Sequence, residues 1–355
     1  MSAHNRLALD GGRPQLATSD TTSWPQFTSD DDVAVLRAAR SVDGVDRSAS
    51  STDADLALAD LDRPTERQHR DQQHCGPLRR SRAAQLERAW SAVTGRTDVI
   101  ACSSGEVAAR LLTVGLELEP GDEIIVPAGA PLAPAMASMG VVPIFVDVDP
   151  HTLHIDPRAA EAAVGTNTKA VMAVDRYGTT ADYRDLELVT ASAGVALIED
   201  GSSSIGATFE RRPVGALGTT SICVLRNHAT GLALGTGALY ATDDSAQGAN
   251  AQRLLLVHDP LCSDLTMGDG LSGGVVPVPR VTDRDGSAAS FLAHLSGPVA
   301  MSDLDATVVL DRLETVERDV ALRSARGTRL RRALEEIPGI WMPQIARGAS
   351  HTYAS

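Results

Sequence analysis

From about residue 80 onward the chain alternates short apolar runs with amphipathic stretches, and this alternation restricts the fold more than any other feature. "DVIACSS", "GDEIIVPA", "VPIFVDVD", "TKAVMAVDRYG" and "VALIEDG" have the length and apolar content of buried strands. Between them "RAAQLERAWSAVTG", "GEVAARLLTVGLEL", "APAMASMG", "PRAAEAAVG" and "YRDLELVTASAG" read as helices. The first carries Ala84, Leu86, Ala89, Trp90 and Val93 at helical spacing and stops at Gly95. Strands that alternate with helices in this way build a mostly parallel sheet covered on both faces, so the expected class is α/β.

The flanks differ in composition. Residues 1–33 are polar and turn-rich, 32–40 ("DVAVLRAAR") read as a short helix, and 41–74 are rich in Ser, Asp and Arg, the composition of an exposed insertion. After residue 285 the pattern is helical, with Leu304, Val308, Leu310, Leu313, Val316 and Val320 on an approximate 3.6-residue stripe that predicts one or two helices. The expected organisation is an N-terminal segment, 1–79, a large α/β domain, 80–250, and a connecting segment with a smaller, shortened domain, 251–355. No internal repeat is visible.

Aromatic residues make up only 3% of the 355, so the core must be built from Ala, Val, Leu and Ile. A net charge of −14 argues against nucleic acid or an anionic membrane as partner. The longest apolar runs are broken by Pro and Gly and cannot span a bilayer. The N-terminus lacks a basic stretch followed by an apolar one, so a cytoplasmic protein is expected. Cys75, Cys102, Cys223 and Cys262 show no metal-type spacing and read as buried free thiols; His69, His74 and Cys75 read as part of a solvated segment rather than as metal ligands. Lys169 is the only lysine in the chain, which confines any amine chemistry to it or to the N-terminus.

Four ordered blocks carry a resemblance: "ACSSGEVAARLLTVGLELEPGDEIIVPA", "GVVPIFVDVDPHTLHIDPRAAEAAVGTNTKAVMAVDRYGTTAD", "VALIEDGSSSIGATFERRPVGALG" and "MSDLDATVVLDRLETVERD". From about residue 75 to its last residue the chain resembles the sugar aminotransferases of the DegT/DnrJ/EryC1/StrS type, including the aminohydroxybenzoate synthases. The resemblance implies the fold-type-I architecture of pyridoxal-phosphate enzymes, a large domain around a mainly parallel sheet, a smaller C-terminal domain, and a dimer.

It also implies a site, and here the chain departs from the family pattern. Asp200 falls on the carboxylate that keeps the cofactor's pyridine nitrogen protonated. Ser103, Ser104 and Gly105 match the phosphate cradle, but Glu106 stands where the family has threonine. Pro131 stands at the ring-stacking aromatic and Ser203 at the Gln or His beside the aspartate. In "CVLRNHATGLALGTGALYAT" the Schiff-base lysine position is Ala229, the phosphate-contacting serine is Val224, and the glutamate of the following Gly-rich turn is Gly235; Val257 stands at the Asn that reaches the partner subunit's phosphate. Lys169 begins its strand, the end opposite the ligand crevice in such folds.

These departures lead to the expectation of an aminotransferase-like protein of sugar or secondary-metabolite biosynthesis that has lost transamination and acts as a partner or stabilising subunit. Covalent cofactor binding is not expected, which leaves pyridoxal phosphate or pyridoxamine phosphate held noncovalently at Asp200, Ser103, Ser104, Gly105 and Ser203. The expected partners are a second copy or an active aminotransferase paralogue, with a sugar nucleotide as ligand. The alternative is a sugar-nucleotide 3-dehydratase that uses pyridoxamine phosphate, with the His228 imidazole moving the proton in place of lysine.

Overall fold

The computed structural model describes residues 81–225, 237–258 and 299–353. The first helix, α1 (Arg82–Thr94), starts on the Ser81 cap and ends where Gly95 turns to φ 77°, a left-handed conformation that glycine adopts without strain. It leads to β1 (Asp98–Cys102), α2 (Gly105–Gly115), β2 (Glu123–Pro127), α3 (Ala133–Ala137), β3 (Val142–Val146), α4 (Pro157–Ala163), β4 (Thr168–Val174), α5 (Tyr183–Ala193) and β5 (Ala196–Asp200). A small antiparallel pair follows, β6 (Thr208–Phe209) and β7 (Arg212–Pro213), then β8 (Thr220–Val224), β9 (Ala238–Thr242), α6 (Ser245–His258) and α7 (Asp303–Glu335).

The seven long strands form one sheet in the order β1-β9-β8-β5-β4-β2-β3. Every neighbour pair is parallel except those of β9, which runs antiparallel to both β1 and β8. The two-residue alternation of a strand divides the apolar side chains between the faces. One face presents Ala101, Ile125, Val171, Ala173, Leu197, Cys223 and Leu239 to Leu86 and Trp90 of α1, Tyr183 and Leu186 of α5, and Ala306 and Val309 of α7. The other presents Ile100, Ile124, Val126, Met172, Ile198, Ile222 and Tyr240 to Val107, Leu111 and Leu112 of α2, Met136 of α3 and Leu254 of α6. Each of the large apolar side chains contributes about 1.5–3 kcal/mol by leaving water, which is why the layers form where the apolar runs place them.

The strands and helices expected between residues 80 and 200 are all present, and Cys102 and Cys223 are buried free thiols. Three details differ. Val93 is 58% exposed, because the buried arc of α1 runs through Leu86, Trp90 and Thr94 and Val93 falls at its margin. On α7 the inward seam is Ala306, Thr307, Val309 and Arg312, with Leu310, Leu313 and Val316 packed beside it, and Leu304 is 42% exposed. The start of α7 is placed instead by a polar contact: the Asp303 carboxylate accepts the Arg82 N–H at 2.8 Å, an acidic group at the positive end of α1. Finally, β3 is a sheet edge, with Phe145 57% exposed.

The helix at 32–40, the insertion at 41–74, His69, His74, Cys75, His228, Ala229, Gly235, Cys262 and the side chain of Val257 lie outside the described residues. Among the described residues no helix is long and apolar enough to cross a membrane.

Candidate functional site

The parallel strands β4, β5 and β8 end together, and the loops that follow β1, β2 and β4 meet them there. Asp175 and Asp200 stand side by side at this edge: β4 and β5 pair in register at Val174 and Asp200, and the Asp175 N–H donates to the Asp200 carbonyl at 2.9 Å. An apolar strand that ends in a carboxylate is legible in both "AVMAVD" and "VALIED", yet the sequence pattern singles out only Asp200 as a site residue.

Asp200 is 1% exposed. Its Oδ1 accepts the Ser202 N–H at 3.1 Å and the Ser202 hydroxyl, and that hydroxyl oxygen accepts the Val224 N–H at 2.9 Å. Burial pushes the Asp200 carboxyl above its ordinary value, while the Ser202 donors and the charge of Arg176 pull it back. The Arg176 guanidinium donates to the carbonyls of Ala128 and Gly129 in the loop after β2. Its backbone N–H donates to His154 Nε2 at 3.2 Å, and burial lowers the pKa of that ring.

Asp175 is fully buried; its carboxylate accepts the Ala181 N–H at 2.9 Å and the Tyr183 hydroxyl. Burial, and then the charge of Glu199, raise its pKa well above the ordinary range. Glu199 points to the face of the sheet opposite Asp200, where it accepts the N–H groups of Gly215 and Leu217, both at 2.7 Å. Arg96 binds the same loop from its carbonyl side, at Gly215 and Gly218, and reaches Asp243 at 2.7 Å. Glu199 and Arg96 therefore fix the turn into β8 and hold the loop rather than a ligand.

The positions expected at a phosphate converge on the start of α2. The Ser104 hydroxyl accepts the Val107 N–H at 3.2 Å and so caps the helix. The Ser103 N–H is taken by the Val299 carbonyl at 2.9 Å, where residues 299–301 run alongside the end of β1. Glu106 is turned outward, with its side chain 62% exposed and paired to Arg110 at 2.7 Å, so its charge lies along the helix instead of over the N-terminus. Gly105, the partly exposed first residue of α2, packs against hydrocarbon on its Cα side: a Cβ placed on it would lie 2.7 Å from Val224 Cγ2 and 3.6 Å from Leu132 Cδ2.

Ser203 is half-buried next to Ser202, Pro131 is exposed at the entry to α3, and the exposed Tyr177 has φ 59° in the loop after β4. The structure places Asp200, Ser103, Ser104, Gly105 and Ser203 at the strand-end edge of the sheet. The residues that sequence reasoning missed are Ser202, Arg176 and Leu132.

Lys169 lies elsewhere. It is the second residue of β4, half-exposed, with Nζ 3.8 Å from Asp122. Five residues separate it from the level of Asp200, about 16 Å of strand. It alternates with Val171 and Ala173 on one face, whereas Asp200 follows Ile198 on the other.

Tested against this geometry, the cofactor's phosphate does not fit the described residues. A dianion at the start of α2 would meet the methyl groups of Val224, which offer no donor in return for its lost water. Among the described residues no group of three or more His, Cys, Asp or Glu side chains is arranged to hold a metal ion.

Comparison with known proteins agrees with the architecture. Residues 76–355 match the model of the DegT/DnrJ/EryC1/StrS aminotransferase family. The chain is 27% identical over 273 residues to the UDP-2-acetamido-2-deoxy-3-oxo-D-glucuronate aminotransferase of Pseudomonas aeruginosa, a match covering 76% of this chain and 68% of that protein. It is 28% identical over 333 residues to the L-glutamine:scyllo-inosose aminotransferase of Streptomyces griseus, covering 93% of this chain and 68% of that one. In fold it is similar to the GDP-4-keto-6-deoxy-D-mannose-3-dehydratase of E. coli, solved with hydrated pyridoxal phosphate. That likeness has a TM-score of 0.68 at 18% identity, and it covers 94% of this chain and 76% of that one.

Proposed function

The chain belongs to the DegT/DnrJ/EryC1/StrS aminotransferase family, and from that premise we propose that it is a noncatalytic member that acts as a partner or stabilising subunit of an active aminotransferase in sugar or secondary-metabolite biosynthesis. The observation that carries the proposal is the position of Lys169. Transamination in this family needs an amine beside the cofactor, both to form the Schiff base and to move the proton. The only lysine of this chain sits at the wrong end of β4 and on the other face of the sheet from Asp200. The filled start of α2 supports the same reading.

The proposed organisation is a large α/β domain to about residue 250 and a second, smaller unit built from the remainder. A subunit of this kind keeps the fold, and with it the family's means of association, while the partner supplies the reaction. The names of the relatives point to sugar-type substrates for such a complex. The test is co-expression with a family aminotransferase from the same biosynthetic locus. A stable complex of fixed stoichiometry, with the partner more active or longer-lived inside it, is the expected result. Transamination of a keto-sugar nucleotide by this chain alone would overturn the proposal. Dehydration of such a nucleotide with pyridoxamine phosphate, lost in His228→Ala, would establish the dehydratase alternative instead.

A further inference from the structure

The structure assigns to Val224 the closing of the anion cradle: its side chain covers the start of α2, so that the cleft excludes phosphate-bearing ligands rather than merely lacking a lysine. The inference rests on the noncatalytic reading above but concerns binding, and it stands or falls separately.

Three observations carry it. First, the frame of the cradle is intact. α2 begins at a glycine, is capped by Ser104, and is eleven residues long. Second, the space over that glycine is occupied. Both methyl groups of Val224 lie within 3.4 Å of the place a Gly105 Cβ would take, and Leu132 closes the other side. Third, the backbone that carries Val224 is fixed. Its N–H is bound to Ser202 Oγ, which is bound to Asp200, and β8 is held in register with β9 at Val224 and Ala238.

The same hydroxyl of Ser202 thus satisfies Asp200 and pins the strand end that carries the valine. One oxygen of the anchor is thus already paired within the chain, and hydrocarbon lies beside the cradle. A phosphate entering here would lose hydrating water against hydrocarbon and receive no donor from the Val224 side chain in return. Serine at this position would reverse that balance, because it removes two methyl groups and presents a hydroxyl toward α2.

The experiment titrates the full-length protein and its Val224→Ser, Val224→Thr and Val224→Ala variants with pyridoxamine phosphate, which needs no lysine, and separately with inorganic phosphate, following thermal stability. The expected result is no stabilising shift in the parent, and binding of pyridoxamine phosphate at least about tenfold tighter in Val224→Ser, the factor one hydrogen bond to a charged group supplies, with a smaller gain in Val224→Thr, which adds the donor but keeps most of the bulk. Val224→Ala, which opens space without a donor, should gain less. A stabilising shift of the parent by either ligand overturns the inference, as does the failure of every folded variant to gain binding. Val224→Thr is close to isosteric and keeps the test available if the serine variant does not fold. Transamination by the parent would sink the proposed function, whereas this inference is decided by ligand binding alone.

Discussion

Glu87 shows how one side chain can set the pH response of this protein. It accepts the Ala101 N–H at 2.9 Å from within the contact between α1 and β1, and burial pushes its pKa up to about 7. Glu199 is raised to about 7 as well, again chiefly by burial. A carboxyl whose folded pKa lies above its unfolded value binds its proton more tightly in the native state. Its contribution is fully present below the unfolded pKa and is lost as pH rises through about 7. These two groups therefore make the fold less stable between about pH 4.5 and pH 7, opposite to the usual effect of a salt-bridged acid. Glu87→Gln keeps an acceptor for Ala101 and removes the charge. It should match the parent at pH 5 and exceed it by on the order of 1 kcal/mol at pH 8, measured by urea unfolding. A variant less stable than the parent at both pH values would contradict this account.

At the scale of elements, α7 illustrates what the hydrophobic pattern does and does not convey. The stripe in the sequence predicts a helix, and a 33-residue helix forms. Its inward seam is shifted from that stripe, because packing on α1 and the Asp303 contact set the rotation. Farther along, Gly327 interrupts a helical run in which alanine would gain about 1 kcal/mol from propensity alone. The reason for glycine is tertiary: a Cβ there would overlap the Tyr353 ring. That ring stacks on His351 at 3.9 Å, and the neighbouring Thr352 N–H donates to the Gly178 carbonyl at 2.6 Å, in the loop after β4. Gly327→Ala should therefore destabilise by roughly 1–3 kcal/mol despite its propensity gain, because overpacking outweighs it. Hydrogen exchange should rise across residues 349–353; unchanged exchange together with a raised unfolding midpoint would show that propensity wins.

At the scale of the whole molecule, the site depends on which ends and faces of the sheet the chain order brings together. Lys169 is excluded from it by topology rather than by chemistry. Lys169→Arg should leave stability within about 0.5 kcal/mol, since its pair with Asp122 is long and partly exposed. Reductive trapping with pyridoxal phosphate should label Lys169 no faster than a free lysine peptide; rapid, saturable labelling would place the ring near that residue and refute the topology argument.

The sequence by itself determined the α/β class, the order of the elements, the family and the presence of a single lysine, Lys169. These depend on local periodicity, turn residues and residue identity, all of which are written along the chain. It also carried the substitution of valine at position 224, but not the consequence. That Val224 lies on Gly105, that Ser202 satisfies Asp200 while pinning β8, and that Arg96 and Glu199 grip one loop from its two sides were decided only by the tertiary structure. Each is a contact between residues from different strands and loops, and its geometry follows from sheet register and side-chain packing, which no local pattern encodes.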